Sequence, residues 1–151
     1  CILFATMQIA FLKDEPMQFE GKNFAVRMQG FENINDVLKL LQKSCDSGYA
    51  MSCVSNGGLF YGALPDFATL IDKQKSAEYF SKACDLGSFA GCGAMVGFYE
   101  NGVGGIAKSS EKAKFYMIKL LKMLINDCEA GEKRLVMRLI KGAEWIDLKT
   151  L

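Results

Sequence analysis

The chain has 151 residues and a mass of 16.7 kDa, half of them apolar, with 18 basic and 17 acidic side chains, six cysteines and no histidine. A single domain of this length buries roughly 70% of the surface its unfolded chain exposes. A net charge of +1 gives no electrostatic footprint for nucleic acid. The lack of histidine removes Ser-His and Cys-His nucleophiles, the imidazole base and histidine-containing zinc sites, so neither metal nor cofactor is expected.

Residues 1–12 are apolar apart from Thr6 and Gln8 and end at Lys13-Asp14-Glu15-Pro16. A bilayer needs about 20 apolar residues, so no membrane span is expected. Three readings stay open for this stretch: the remnant of a secretory signal, a buried first helix or strand, and a lipid-anchored Cys1. Met17, Phe19, Phe24, Val26 and Met28 then alternate around Gly21 and Asn23, a short hairpin signal. Residues 1–32 are read as a less regular leader and 33–148 as the folded domain.

From residue 37 the chain repeats itself. Lys43-Ser44-Cys45-Asp46-Ser47-Gly48 recurs as Lys82-Ala83-Cys84-Asp85-Leu86-Gly87, and a second cysteine follows each, Cys53 and Cys92, all at an offset of 39 residues. Asp127-Cys128-Glu129-Ala130-Gly131 is a worn third copy, with Val136 where its second cysteine belongs. Periods of this length mean stacked units that cannot bury their apolar faces alone. Leu38, Leu40 and Leu41, then Tyr79, Phe80 and Ala83, have helical spacing, so each unit is a helix pair. Helices are predicted at 33–46, 50–62, 72–86, 89–101, 109–127 and 132–148. Gly48, Gly87 and Gly131 are read as stops of the second helix of each pair. The helix at 109–127 is expected to be buried on most sides, with Lys112, Lys119, Lys122 and Asn126 as its polar stripe, and the last helix to cap the array.

Each cysteine pair, Cys45 with Cys53 and Cys84 with Cys92, spans eight residues across a Gly turn between two helices. That spacing suits a disulfide over a helix corner and not a Cys-x-x-Cys metal or redox site. Disulfides persist in oxidising compartments, which points to a secreted or periplasmic protein. Cys1 and Cys128 are left over, either unpaired, joined to each other or joined to residues outside the chain.

These phrases, with Phe98-Tyr99, Gly102-Val103-Gly104-Gly105 and Lys112-Ala113, resemble Sel1-like repeats over residues 37–131. More narrowly the chain is similar to the disulfide-bridged Helicobacter cysteine-rich proteins. The resemblance implies an all-α fold, an α/α superhelical solenoid related to tetratricopeptide repeats, with one disulfide per helix pair and export from the cytoplasm. It also implies penicillin-binding or β-lactamase activity, since members of the family are so described.

The residues give that chemistry little support. Ser109-Ser110-Glu111-Lys112 matches Ser-x-x-Lys, but Ser109 stands where a helix cap is expected, no Ser-Asp-Asn follows, and Lys149-Thr150 lacks its Gly. The Gly102–Gly105 run lacks the strand and the Gly-Lys-Ser/Thr ending of a phosphate loop. The expected function is therefore an exported scaffold that binds a protein or peptide in a concave groove. Weak action on a β-lactam or a peptidoglycan-like small molecule is the alternative, carried by the resemblance. Groove candidates are Ser55, Tyr61, Glu100 and Asn101, chosen because they fall off the core positions of the first helices of the units, which build the concave surface.

Overall fold

A computed structural model describes residues 33–63 and 65–128, the side chains of 65–67 excepted. Among the described residues there are five α-helices: α1 (Ile34–Asp46), α2 (Ala50–Tyr61), α3 (Lys73–Asp85), α4 (Phe89–Asn101) and α5 (Ser110–Asn126). A 3-10 helix, Pro65–Leu70, lies between α2 and α3. The architecture is all-α, and no strand occurs among the described residues. The expectations for the leader, its hairpin, Cys1, Gly131 and the helix at 132–148 fall outside the described residues. The chain divides into two compact units, to which residues 33–117 and 118–128 respectively belong.

Local chemistry sets the helix starts. Asn33 accepts a hydrogen bond from the Asn35 amide at 2.9 Å, Asp72 from Lys75 at 3.0 Å, and Ser88 from Gly91 at 3.2 Å, each satisfying a donor left free in the first turn. Asp36 in the first turn of α1 and Lys43 in its last complement the helix dipole. The ends are set by a repeated device. Gly48 and Gly87 take φ of +94° and +87°, and the amides of Tyr49 and Ser88 bond back to Ser44 and Ala83. These glycines follow the C-terminal ends of α1 and α3, the helix stops expected of them.

Within the unit holding 33–117, α1 packs on α2, α2 on α3 and α3 on α4. Cys45 is bonded to Cys53 and Cys84 to Cys92, with Cα atoms 4.8 and 4.5 Å apart and all four cysteines fully buried. The first bridge packs against Ala83, Val54 and Tyr79, so the corner of one pair helps form the seat of the next. Ser76 donates a buried hydrogen bond to the Gly57 carbonyl at 2.7 Å, tying α3 to α2. Phe80 lies against Gly57, where an added Cβ would meet its ring at 3.0 Å. Ala77, Met95 and Phe98 form a second cluster, flanked by Phe80, Tyr99 and Tyr116.

Burial along α5 is confined to one stripe, Ala113, Met117, Leu120, Leu121 and Leu124, while Phe115 is 61% exposed. The expectation of a helix buried on most sides is corrected accordingly: the intervals of four, seven, eight and eleven residues from Ala113 describe one amphipathic face. Among residues 118–128, Cys128 is buried and disulfide-bonded, and its partner lies outside the described residues. No helix among the described residues is long and apolar enough to cross a membrane.

Candidate functional site

Gln42 of α1, Phe60 of α2 and four residues of α3, Lys75, Glu78, Tyr79 and Lys82, line an open groove of about 390 Å³. The α3 residues stand at intervals of three, four and seven, one face of a helix, with Lys75 and Lys82 about 10 Å apart along the axis. Phe60 and Tyr79 form the floor, with ring centroids 5.7 Å apart and planes 6° from parallel. The Lys75 ammonium lies 5.4 Å from the Phe60 ring centre and 3.9 Å from the Asp72 carboxylate. Lys82 is ion-paired to Asp46 at the end of α1.

Tyr79 is pushed above the ordinary phenol range, first by burial, then by the negative field of Asp46 and, to a smaller degree, Glu78. It stays protonated at neutral pH. Beneath it Asn56 is fully buried. The Tyr79 hydroxyl is close enough to feel the Asn56 amide, yet both amide atoms of Asn56 lie without a hydrogen-bond partner.

The four groove candidates from the sequence lie elsewhere. Ser55, midway along α2, donates its hydroxyl to the Met51 carbonyl at 3.0 Å, so it is spent on its own helix. Asn101 likewise donates to Gly97 at 3.0 Å, at the end of α4. Glu100 is exposed beside it. Tyr61, at the end of α2, packs edge-on to Phe98 at 5.7 Å and carries the Lys73 ammonium over its ring at 3.3 Å. Lys73 also donates to the Tyr61 carbonyl, and desolvation there lowers its pKa. No hydrogen bond, ion pair or ring contact joins any two of the four, and none lines the groove. The residues that do line it include the Phe60–Tyr79 pair, neither of which was among those candidates. The shared face of Lys75, Glu78, Tyr79 and Lys82 was the available signal.

A second aromatic platform repeats the first. Tyr99 of α4 stacks on Tyr116 of α5 at 5.7 Å and 19°, and the Lys112 ammonium lies 5.2 Å from the Tyr99 ring centre. In each platform the lysine precedes the tyrosine by one helical turn. Ser81 of α3 meets the Tyr116 hydroxyl at 3.3 Å. Ser109 accepts a hydrogen bond from the Lys112 amide at 3.2 Å, so the serine of the Ser-x-x-Lys match serves as a helix cap. Among the described residues no cluster of three or more His, Cys, Asp or Glu could hold a metal ion.

No family model matches the chain, and no solved structure matches it. Two curated relatives do. Cytochrome c oxidase assembly factor 7A of Xenopus laevis is 33% identical over 72 residues, 48% of this chain and 30% of the relative. Cytochrome c oxidase assembly factor 7 of Xenopus tropicalis is 32% identical over 72 residues, with the same shares. The matched stretch spans under a third of these relatives' length.

These relatives correct three expectations. The exported scaffold, the β-lactamase or penicillin-binding alternative with its β-lactam and peptidoglycan-like ligands, and the secreted or periplasmic location all give way to relatives named for the assembly of cytochrome c oxidase. The physical error is identifiable. Disulfides require an oxidising compartment, and export from the cell is only one way to reach one. The hydrolase reading came from the resemblance alone.

Proposed function

We propose that this chain is a helix-pair repeat segment of a cytochrome c oxidase assembly factor and that it acts by binding a protein partner. The observation that carries the reading is the match to two assembly factors over nearly half of this chain. Cytochrome c oxidase is a mitochondrial enzyme in animals, so the location proposed is mitochondrial, in a compartment oxidising enough to keep two buried disulfides. The Sel1-like resemblance and the solenoid arrangement belong to this reading. Their support is the 39-residue recurrence, the repeated aromatic platforms and the packing of each helix from α1 to α4 on the next. An assembly factor needs a surface that recognises a polypeptide, and the groove offers aromatic faces with charged groups at its rim.

The test is removal of the parent protein from cells. The reading expects a fall in assembled cytochrome c oxidase on native gels, restored by re-expression of the full-length protein. Oxidase at normal levels after complete removal would refute it.

A further inference from the structure

We propose that the groove between α1 and α3 holds an extended segment of a protein partner through an arginine, stacked on the Phe60–Tyr79 floor and bridged to Glu78. This rests on the reading of the chain as a protein-binding module and names the chemistry of recognition.

Charge decides the occupant. Lys82 is neutralised by Asp46, and Lys75 leans toward Asp72. Glu78 is exposed and forms no ion pair among the described residues. The uncompensated charge in the groove is therefore a carboxylate. Burial is the first cause of the raised Tyr79 pKa, and among the charges around the phenol Asp46 and Glu78, which raise it, together oppose Lys82, which lowers it. A cation is the complementary ligand.

Geometry narrows the cation. The Lys75 ammonium, 5.4 Å from the Phe60 ring centre, already lies within cation–π reach of the floor. A guanidinium is planar, stacks on such a face and meets a carboxylate with two parallel N–H bonds, whereas an ammonium does neither. On the opposite wall Gln42 is exposed and its amide bonds to nothing among the described residues, so it is available to a peptide backbone.

The second platform supplies an internal control. It has the stacked rings and the lysine, but the residue preceding Tyr116 is Phe115, where Glu78 precedes Tyr79. No carboxylate stands at that position of the second platform, so the inference assigns one arginine to the first platform and none to the second.

The experiment is an NMR titration of the isotope-labelled, disulfide-intact chain with acetyl-Gly-Ala-Arg-Ala-Gly-amide and its counterparts bearing Glu or citrulline in place of Arg. Saturable shifts at Phe60, Glu78 and Tyr79 are expected for the Arg peptide only. Glu78→Gln should weaken binding about tenfold, the effect of losing one charge-assisted pair. Lys75→Ala frees one face of Phe60 and should tighten binding about threefold. Glu111→Gln, on α5, should change nothing. Shifts centred on Tyr99 and Tyr116, an equal or larger response to the Glu peptide, indifference to Glu78→Gln, or no saturable shift at all would each overturn the proposal. The assay contains no oxidase. Binding here without an oxidase defect on removal of the protein would sink the functional reading and leave the groove standing; the reverse pair of results would do the opposite.

Discussion

The two disulfide-linked helix pairs share a skeleton and differ in what they do with it. Both turn on a glycine of positive φ and both bury their bridge completely. In the first corner Ser52 and Ser44 join hydroxyls at 2.7 Å; at the same offset the second has Gly91 and Ala83, and its helices come closer, 4.5 against 4.8 Å between bridged Cα atoms. Further along, the first pair buries the orphaned amide of Asn56 where the second buries Met95. At these positions the second pair holds small or apolar residues where the first holds polar ones; the groove itself draws on both, with Gln42 and Phe60 from the first pair and Lys75, Glu78, Tyr79 and Lys82 from α3 of the second.

The contrast sets different substitution costs at the two corners. A Cβ on Gly91 would sit 2.5 Å from the Cys84 amide nitrogen and 2.7 Å from both Ala83 Cβ and the Phe80 carbonyl oxygen. Backbone cannot yield as a side-chain tip can, so Gly91→Ala should cost about 3 kcal/mol in chemical denaturation, and Ser52→Ala only about 1 kcal/mol. Equal costs would remove the distinction.

The bridges should not differ. Each closes a loop of the same length, so replacing both cysteines of either pair by serine should lower stability by about 2.5 kcal/mol on the chain-entropy argument. A bridge whose loss left the denaturant midpoint unmoved would have no structural role. Asn56→Leu exchanges two unpartnered polar atoms for methyls and should raise stability by about 1–2 kcal/mol. A loss instead would mean the amide has a partner, such as a buried water.

The smallest effect is in titration. The Tyr79 pKa is raised in the folded state, so its contribution to stability is complete below the phenol's ordinary pKa near 10 and fades as pH rises through the higher folded value. Ultraviolet difference titration should show a late-ionising phenol that Tyr79→Phe removes. A Tyr79→Phe curve matching wild type would contradict the burial and field assigned to it.

How far the sequence carried can be stated from these residues. The helices were legible because Leu38, Leu41, Tyr79 and Ala83 keep helical spacing; the caps Asn33, Asp72 and Ser88 came from the structure. Predicted spans such as 89–101 agree with Phe89–Asn101. The groove was not legible, because its walls come from Gln42, Phe60 and Lys75–Lys82, which only packing brings together. Choosing exposed polar positions on α2 and α4 could not find it, since Ser55 and Asn101 turn back on their own helices. The orphaned amide of Asn56 was equally hidden: nothing in an α-helical Asn announces whether its amide will meet a partner.

The most direct test places a photo-reactive phenylalanine at Gln42, on the groove wall, or at Glu100, on α4, in the full-length protein in cells. The account predicts that position 42 cross-links to a subunit of cytochrome c oxidase or to a component of its assembly intermediates, and that position 100 does not. Cross-links from position 100 alone, or from position 42 only to proteins unconnected with the oxidase, would contradict it.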